Sequence, residues 1–449
     1  MHHLEIVTSR LWRGSRVNIL LLFLSLFTLF SFDQENFIIE GYCSKVSASP
    51  GDSLTVFVNA GEKRDNYDLK LFDLQGKQVA TYKANVFSQE PQHDKPWEHG
   101  YGYKPSLKIK VPYLKSGVYQ WEDRIPLIIK TAKPKIVVVY NSNRENAYCN
   151  GGGKSLYAFN SSESKPTHTV SFLRPMRLPR HAEPFLRWFE TQPFKDVGYI
   201  ADVDLDNYDT WSSAELLIIT GHSEYWTLQA RKNFDRFVNE GKNAIVLSGN
   251  SMWWQVRYSK DKTQMICYKS KDDDPIANKK LKTINWNDPK LNYPITKSIG
   301  VEFPNAGYGR KTDKGWDGFK ILTHSPLLEG TPLKVGDILP LPSDETDGAP
   351  LLGFTHDGHP IANTNALGFE KMEIVGYDKV FRLEKEGYAT WVVFKRSKKS
   401  GVIINTVTTD WCSSQGISNQ NVKIITLNMI KKLMAKQNVF SQVEAVHAK

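Results

Sequence analysis

The sequence predicts an all-β domain followed by a larger α/β domain, and three patterns carry that expectation. Up to about residue 130 the apolar residues alternate with polar ones. Beyond residue 135 they gather into unbroken runs of four or five, and between such runs lies a helical stripe. Alternation marks strands with one solvated face, whereas unbroken runs mark strands covered on both faces, as in parallel sheets.

The chain begins with Arg10, Arg13 and Arg16 ahead of an apolar run from Val17 to Phe32, interrupted by Asn18, Ser25, Thr28 and Ser31. A positive segment followed by an apolar one too short to span a bilayer comfortably reads as an export signal. Large residues around Ser31 make a poor cleavage pattern, so residues 1–32 are assigned to a signal peptide or signal anchor. The body is expected to be exported: periplasmic, secreted or anchored at the outer face of the membrane.

Residues 37–131 form the first domain. Leu54, Val56 and Val58, then Leu69 and Leu71, then Leu107, Ile109 and Val111 alternate, separated by turn residues at Ser49-Pro50-Gly51-Asp52, Gln75-Gly76 and Ser116-Gly117. Short alternating strands with regular turns predict one immunoglobulin-like β-sandwich. Thr131 to Pro134 reads as a linker.

Residues 135–440 form the second. Ile136 to Tyr140, Val197 to Val203, Leu216 to Ile219, Asn243 to Ser248 and Val402 to Thr406 read as strands, and Pro184 to Glu190 as a helix. Between Leu216 and Ser248, Thr227 is a helix N-cap, Ala230, Phe234, Phe237 and Val238 hold a helical stripe, and Gly241 is the C-terminal stop. A last helix carries Val422, Ile425, Met429 and Leu433. From Ser259 to Gly376, stretches rich in Lys, Asp, Pro and Gly predict long loops and short strands laid over the sheet.

A right-handed crossover makes consecutive strands of this kind parallel. Residues just past their carboxyl ends then share one rim: Arg144 and Tyr148 after the first, His222 and Glu224 after Leu216–Thr220, Asn250 after Ser248, and Asp410 after Thr406. In α/β sheets that rim is where ligands bind.

Composition sets bounds. A 449-residue chain that is 40% hydrophobic is long enough for two cores and is not disordered. The 12% aromatic share, with 12 Trp, suits aromatic cores or aromatic-walled sites. The formal charge of +10 is scattered and accompanied by no nucleic-acid motif, so it reads as a solvated basic surface. Four cysteines, Cys43, Cys149, Cys267 and Cys412, lack the spacing of a cysteine zinc site, and export would permit one or two disulfides.

Two motif readings fail on spacing. Gly151 to Gly153 followed by Lys154-Ser155 resembles a phosphate-loop tail, but Tyr148 stands where its first glycine is needed. Ser223 has Gly221 two positions before it but Tyr225 two positions after, which argues against a nucleophile elbow.

The segments GHSEYWT, LSGNSMWWQVR, CYKSKDDDP, AYCNGGGKSLY and VSFLRP, with IIEGYCSKVSASPGDSL, LKSGVY and NTVTTDWC, resemble the N,N-dimethylformamidase large (beta) subunit-like family along most of the chain. The resemblance implies a β-sandwich joined to a glutamine-amidotransferase-like, flavodoxin-like α/β domain with a mostly parallel sheet. It also implies a mononuclear ferric iron held by two tyrosines and a glutamate. The glutamate matches Glu224 and one tyrosine Tyr148; the second is Tyr119 of SGVY, with Tyr157 as the alternative. His222, Asn250 and Lys269 match supporting residues, and the base is Glu345 or Glu370. A small partner subunit or a homo-oligomer is also implied.

Phenolate and carboxylate are hard donors suited to ferric iron, and three protein ligands leave positions for water or an amide carbonyl. The expected function is hydrolysis of carbon–nitrogen bonds in small amides. The competing expectation is a non-catalytic binding protein for a saccharide or peptide, with a vestigial site. Residue by residue, the structural alternatives are packing for Tyr119 and Tyr148, a surface pair with Asp272 for Lys269, and a capped turn for His222. Cys149 departs from the family pattern, and no histidine in the sequence identifies itself as its activator.

Overall fold

The computed structural model describes residues 37–309 and 316–441. The expected export segment, residues 1–32, lies outside them, and no helix among the described residues is long and apolar enough to cross a membrane.

Alternation in the N-terminal third resolves into two sheets. Ile38–Cys43, Ser53–Ala60 and Leu107–Lys110 form one; Ser47–Ala48, Ile125–Ile129, Gly117–Trp121, Arg64–Asp73 and Gln78–Val86 form the other. Val56 and Val58 from the first pack with Leu69, Leu71, Trp121 and Leu127 from the second in one solvent-free core. Asp204 joins this pair of sheets to the body, accepting from Ser47 Oγ at 2.6 Å and Lys130 Nζ at 2.8 Å.

The body is built on an eleven-stranded sheet. Val197–Ala201, Ile136–Tyr140, Leu216–Gly221, Asn243–Ser248 and Val402–Asn405 lie side by side and parallel. The whole is mixed, which corrects the expectation of a mostly parallel sheet. Lys371–Arg382 and Lys385–Lys395 form a long hairpin that pairs antiparallel with Val402–Asn405. Its two-residue turn, Leu383-Glu384, has both φ angles positive (50° and 40°), the twist that closes a tight hairpin and forces the strands to run in opposite directions. Glu302–Tyr308, Phe319–Ile321, Ile338–Leu339 and Glu345–Gly348 add further antiparallel strands, so part of the expected loop segment extends the sheet.

The crossover forms as expected. Helix Leu228–Asn239 begins where the Thr227 hydroxyl accepts from Ala230 N at 3.0 Å, buries Ala230, Phe234, Phe237 and Val238, and ends before Gly241. Its strands run in parallel register from Leu216 opposite Asn243 to Gly221 opposite Ser248. Immediately past Gly221 the chain enters a second sheet, in which Tyr225–Thr227 pairs with Trp254–Tyr258, followed by Gln264–Ile266 and Thr169–Ser171. Three residues, 222 to 224, separate the strand Leu216–Gly221 from Tyr225–Thr227, so Glu224 sits at a joint between the two sheets.

All four cysteines are free. Cys43, Cys267 and Cys412 belong to three different buried clusters, which leaves the disulfides that export would permit without partners.

Candidate active site at the sheet rim

Gly221 makes the joint possible. Its φ of +64° suits glycine, and a Cβ there would lie 2.9 Å from the His181 carbonyl oxygen. The turn delivers Glu224, 2% exposed, beneath two tyrosines. Tyr148 donates its hydroxyl to Oε2 at 3.2 Å and Tyr157 to Oε1 at 2.9 Å, while Tyr157 and Tyr225 share a short hydroxyl contact. Burial, then the Glu224 charge, raises the pKa of Tyr148 and Tyr157 far above the ordinary tyrosine value. Both phenols therefore keep their protons unless a cation joins them.

The tyrosines arrive by separate routes. Tyr148 ends helix Ser142–Tyr148, which follows strand Ile136–Tyr140. Tyr157 returns to it after the turn at 151–153, leaving the two rings 4.3 Å apart. Arg174, fully buried, clamps that turn by donating to Gly151 O at 2.8 Å, Lys154 O at 3.2 Å and Asn146 O at 2.9 Å. The glycine run is thus a return loop for a tyrosine.

On the other side of the carboxylate, His222 Nε2 lies 3.4 Å from Glu224 Oε2 and 3.7 Å from Glu345 Oε2. His222 Nδ1 faces the Gly249 carbonyl at 3.0 Å; a carbonyl only accepts, so Nδ1 carries its hydrogen. Asn250 Nδ2 donates to Glu345 Oε2 at 2.7 Å, while Asn250 Oδ1 is buried and has no partner among the described residues. Gly249 permits this approach, because a Cβ there would lie 2.3 Å from Glu345 O. Burial raises the Glu345 carboxyl above its ordinary value; His222 opposes the shift and Glu224 adds to it.

Lys269 Nζ is buried, and among the described residues it has no hydrogen-bond partner; it lies 3.3 Å from the Tyr157 ring centroid and 5.2 Å from that of Trp254. Burial lowers its pKa. Asn250 and Lys269 both adopt left-handed backbone, φ 45° and 55°, the kind of local strain that collects at functional sites.

Five residues expected from the sequence therefore meet here with Tyr148: His222, Glu224, Asn250, Lys269 and Glu345. Tyr157, the alternative, is the second tyrosine on the Glu224 carboxylate. Tyr119 does not: it lies within the N-terminal sheets and donates to Lys115 O at 2.6 Å. Its strand pairs inside that domain, which keeps it from the rim. Glu370 is exposed just ahead of strand Lys371–Arg382 and joins no part of the cluster. The expected Lys269–Asp272 pair is absent; Asp274 instead takes Arg257. Cys149 Sγ contacts Pro175 O at 3.4 Å, and Ser223 Oγ accepts from Trp226 Nε1 at 2.9 Å, so both serve local structure.

Three neighbours were not expected. Tyr225 was hidden in plain sight beside Glu224, Arg174 lay in the VSFLRP segment, and His181 carried no sequence signal. The His181 ring meets His222 edge-on at 5.8 Å, and burial, then His222, pushes its pKa down to about 2, so it is neutral. A separate cleft lined by Tyr42, Val46, Tyr140, Glu145 and Met176 opens at the seam with the N-terminal sheets. It borders Ser142 and Glu145 of the helix, and Tyr148 does not line it.

Two phenols gathered on one buried carboxylate make a set of three oxygen-donor side chains that fits a hard cation. With their protons removed they would place three negative charges together, which needs a highly charged partner. Among the described residues no group of three His, Cys, Asp or Glu side chains is arranged to hold a metal, so this donor set depends on its phenols.

No curated protein matches the chain. A family described as N,N-dimethylformamidase beta subunit-like, C-terminal, matches residues 72–421, from within strand Arg64–Asp73 to the start of the final helix. That span takes in every residue of the rim cluster, and the chain accordingly belongs to the N,N-dimethylformamidase beta subunit-like family.

Proposed function

We propose that the protein is an iron-dependent hydrolase of carbon–nitrogen bonds in small amides. The observation that carries this reading is the pair of tyrosine hydroxyls on the two oxygens of buried Glu224. Tyr148, Tyr157 and Glu224 would hold the ion. Bound there, a ferric ion supplies Lewis acidity toward an amide carbonyl or a water molecule.

The remaining side chains divide the proton and charge work. Glu345 is the base: a raised pKa makes a carboxylate a better proton acceptor near neutrality, and Asn250 Nδ2 fixes its orientation. Asn250 Oδ1, buried and unused, can accept from the attacking water or the substrate N–H. Lys269 Nζ has donors available for the oxyanion that forms as the carbonyl carbon becomes tetrahedral, a contribution of about 3 kcal/mol when well aimed. His222 holds its ring between Glu224 and Glu345.

Several features of the wider molecule belong to the same reading. The N-terminal sheets are taken as immunoglobulin-like and the body as glutamine-amidotransferase-like. Residues 1–32 direct export, and a small partner subunit or a second copy completes the assembly.

Metal analysis of purified wild type beside Glu224→Ala tests the site, and a screen of short amides tests the reaction. Iron bound in wild type and lost in the variant, together with amide turnover, is expected. Properly folded wild type without iron would overturn the ligand assignment. Iron-loaded protein that cleaves no amide would overturn the hydrolase reading.

A further inference from the structure

Arg382 stands apart from the other shielded arginines. Arg144 holds Glu145 at 3.0 Å, Arg257 holds Asp274 at 2.7 Å, and Arg396 holds Asp235. Arg174 and Arg231 give their hydrogens to carbonyl oxygens. Arg382 is half-buried, yet among the described residues no carboxylate lies within ion-pair distance of its guanidinium. Its Cζ lies 5.5 Å from the Phe303 ring centroid and 6.0 Å from that of Trp253. Aromatic faces steady a cation without neutralising it, which leaves its fork available to an anion.

Strand register places the position near the rim cluster. Phe381 pairs with Tyr308, and Tyr308 pairs with Glu345, so Arg382 adjoins a residue two strands from the proposed base. Two strand spacings are about 10 Å. An aromatic path covers the interval: Trp254, beside Lys269, meets Trp253 at 6.0 Å, and Trp253 meets Phe303 at 5.8 Å.

We propose that the substrate is an amide carrying a carboxylate on an apolar or aromatic spacer, with Arg382 binding the carboxylate and Trp253 supporting the spacer. The proposal rests on the hydrolase reading for its chemistry and on Arg382 for its selectivity. It makes Arg382 a specificity-determining residue: the guanidinium offers two parallel N–H donors to a carboxylate, and an uncharged analogue leaves them unused. Neutral short amides would then be poorer substrates at the same site.

The test compares 4-(formamidomethyl)benzoate with its uncharged counterpart, N-(4-methylbenzyl)formamide, in iron-loaded wild type, Arg382→Gln and Arg382→Lys. The acid is expected to be favoured at least about tenfold in kcat/KM by wild type. Arg382→Gln should abolish that preference while leaving the neutral amide within about twofold, and Arg382→Lys should retain part of it. Equal kcat/KM for the two amides in wild type, or equal slowing of both by Arg382→Gln, overturns the proposal.

If neither amide is cleaved, the hydrolase reading fails separately and binding decides the subsite. Calorimetry with 4-methylbenzoate and 4-methylbenzyl alcohol then applies. Tighter binding of the acid to wild type, lost in Arg382→Gln, supports the subsite. Equal binding of acid and alcohol, or binding of neither, overturns it.

Discussion

Asp274 and Glu224 are two carboxylates buried to the same degree, 1% and 2% exposed, with opposite surroundings. Asp274 receives both terminal nitrogens of Arg257, at 2.7 and 3.0 Å, the Thr283 amide and hydroxyl at 2.8 and 2.7 Å, and the Ile276 amide at 3.1 Å. Burial alone would raise its pKa, but these donors outweigh it and hold the carboxyl well below the usual range. Glu224 has two neutral phenols and an imidazole edge, and among the described residues no arginine or lysine pairs with it. A complete shell of donors makes a staple for the loop from 257 to 283. An incomplete one, surrounded by further hard donors, leaves room for an external cation. Burial alone therefore does not single out a carboxylate as a candidate site; a missing countercharge does.

The largest expected effect breaks the contrast at Glu224. Glu224→Ala should lose iron and lower amide turnover on the order of 10³-fold, with a smaller loss of stability than Asp274→Ala because it strands two neutral phenols rather than a charged guanidinium. Unchanged iron content by elemental analysis would contradict the role given to this carboxylate.

Asp274→Ala should do the reverse. It strands the Arg257 charge and is expected to cost about 3 kcal/mol by urea unfolding, while folded protein keeps its iron. Because the Asp274 carboxyl is depressed on folding, its stabilisation is present above its unfolded pKa, about 3.9, and is lost as pH falls through the folded value. The stability gap between wild type and variant should therefore narrow in strong acid; a gap independent of pH would remove the staple.

Glu345 sharpens the comparison from the catalytic side. Its raised pKa means that the base becomes competent only above the usual carboxylate range, so the acidic limb of kcat/KM should lie higher than an exposed glutamate would give. Glu345→Gln should lower kcat by about 10²-fold and abolish that limb, whereas Glu370→Gln, at an exposed position, should leave the profile unchanged. An identical limb in Glu345→Gln would assign the base elsewhere.

The smallest effect separates two tyrosines. Tyr119→Phe loses one hydrogen bond to Lys115 O, about 1 kcal/mol of stability, with iron retained. Tyr157→Phe should instead remove part of the visible phenolate-to-iron absorption of the loaded protein. Loss of that band in Tyr119→Phe would reverse the assignment.

Much of the rim was legible because its causes are local. Leu216 to Ile219 has only apolar side chains, Thr227 can cap a helix, and Gly241 can end one; together these predict a crossover and put Glu224 and Asn250 on one edge. The antiparallel half was less legible, because the hairpin from 371 to 395 mixes buried and exposed residues and its turn, Leu383-Glu384, lacks the glycine or asparagine that announces such a turn.

The sequence by itself determined the strand–helix–strand unit around GHSEYW and the residue types available at its rim, since apolar periodicity and capping act over a few residues. Only the tertiary structure decided that Tyr157 meets Glu224, that Glu345 meets Asn250, and that Asp274 takes Arg257 and leaves Lys269 unpaired. Two of those pairings close intervals of 67 and 95 residues, and the third turns on which of two cations a folded loop presents. Which of several tyrosines or acids arrives at the rim depends on strand order and loop path, and spacing along the chain does not encode either.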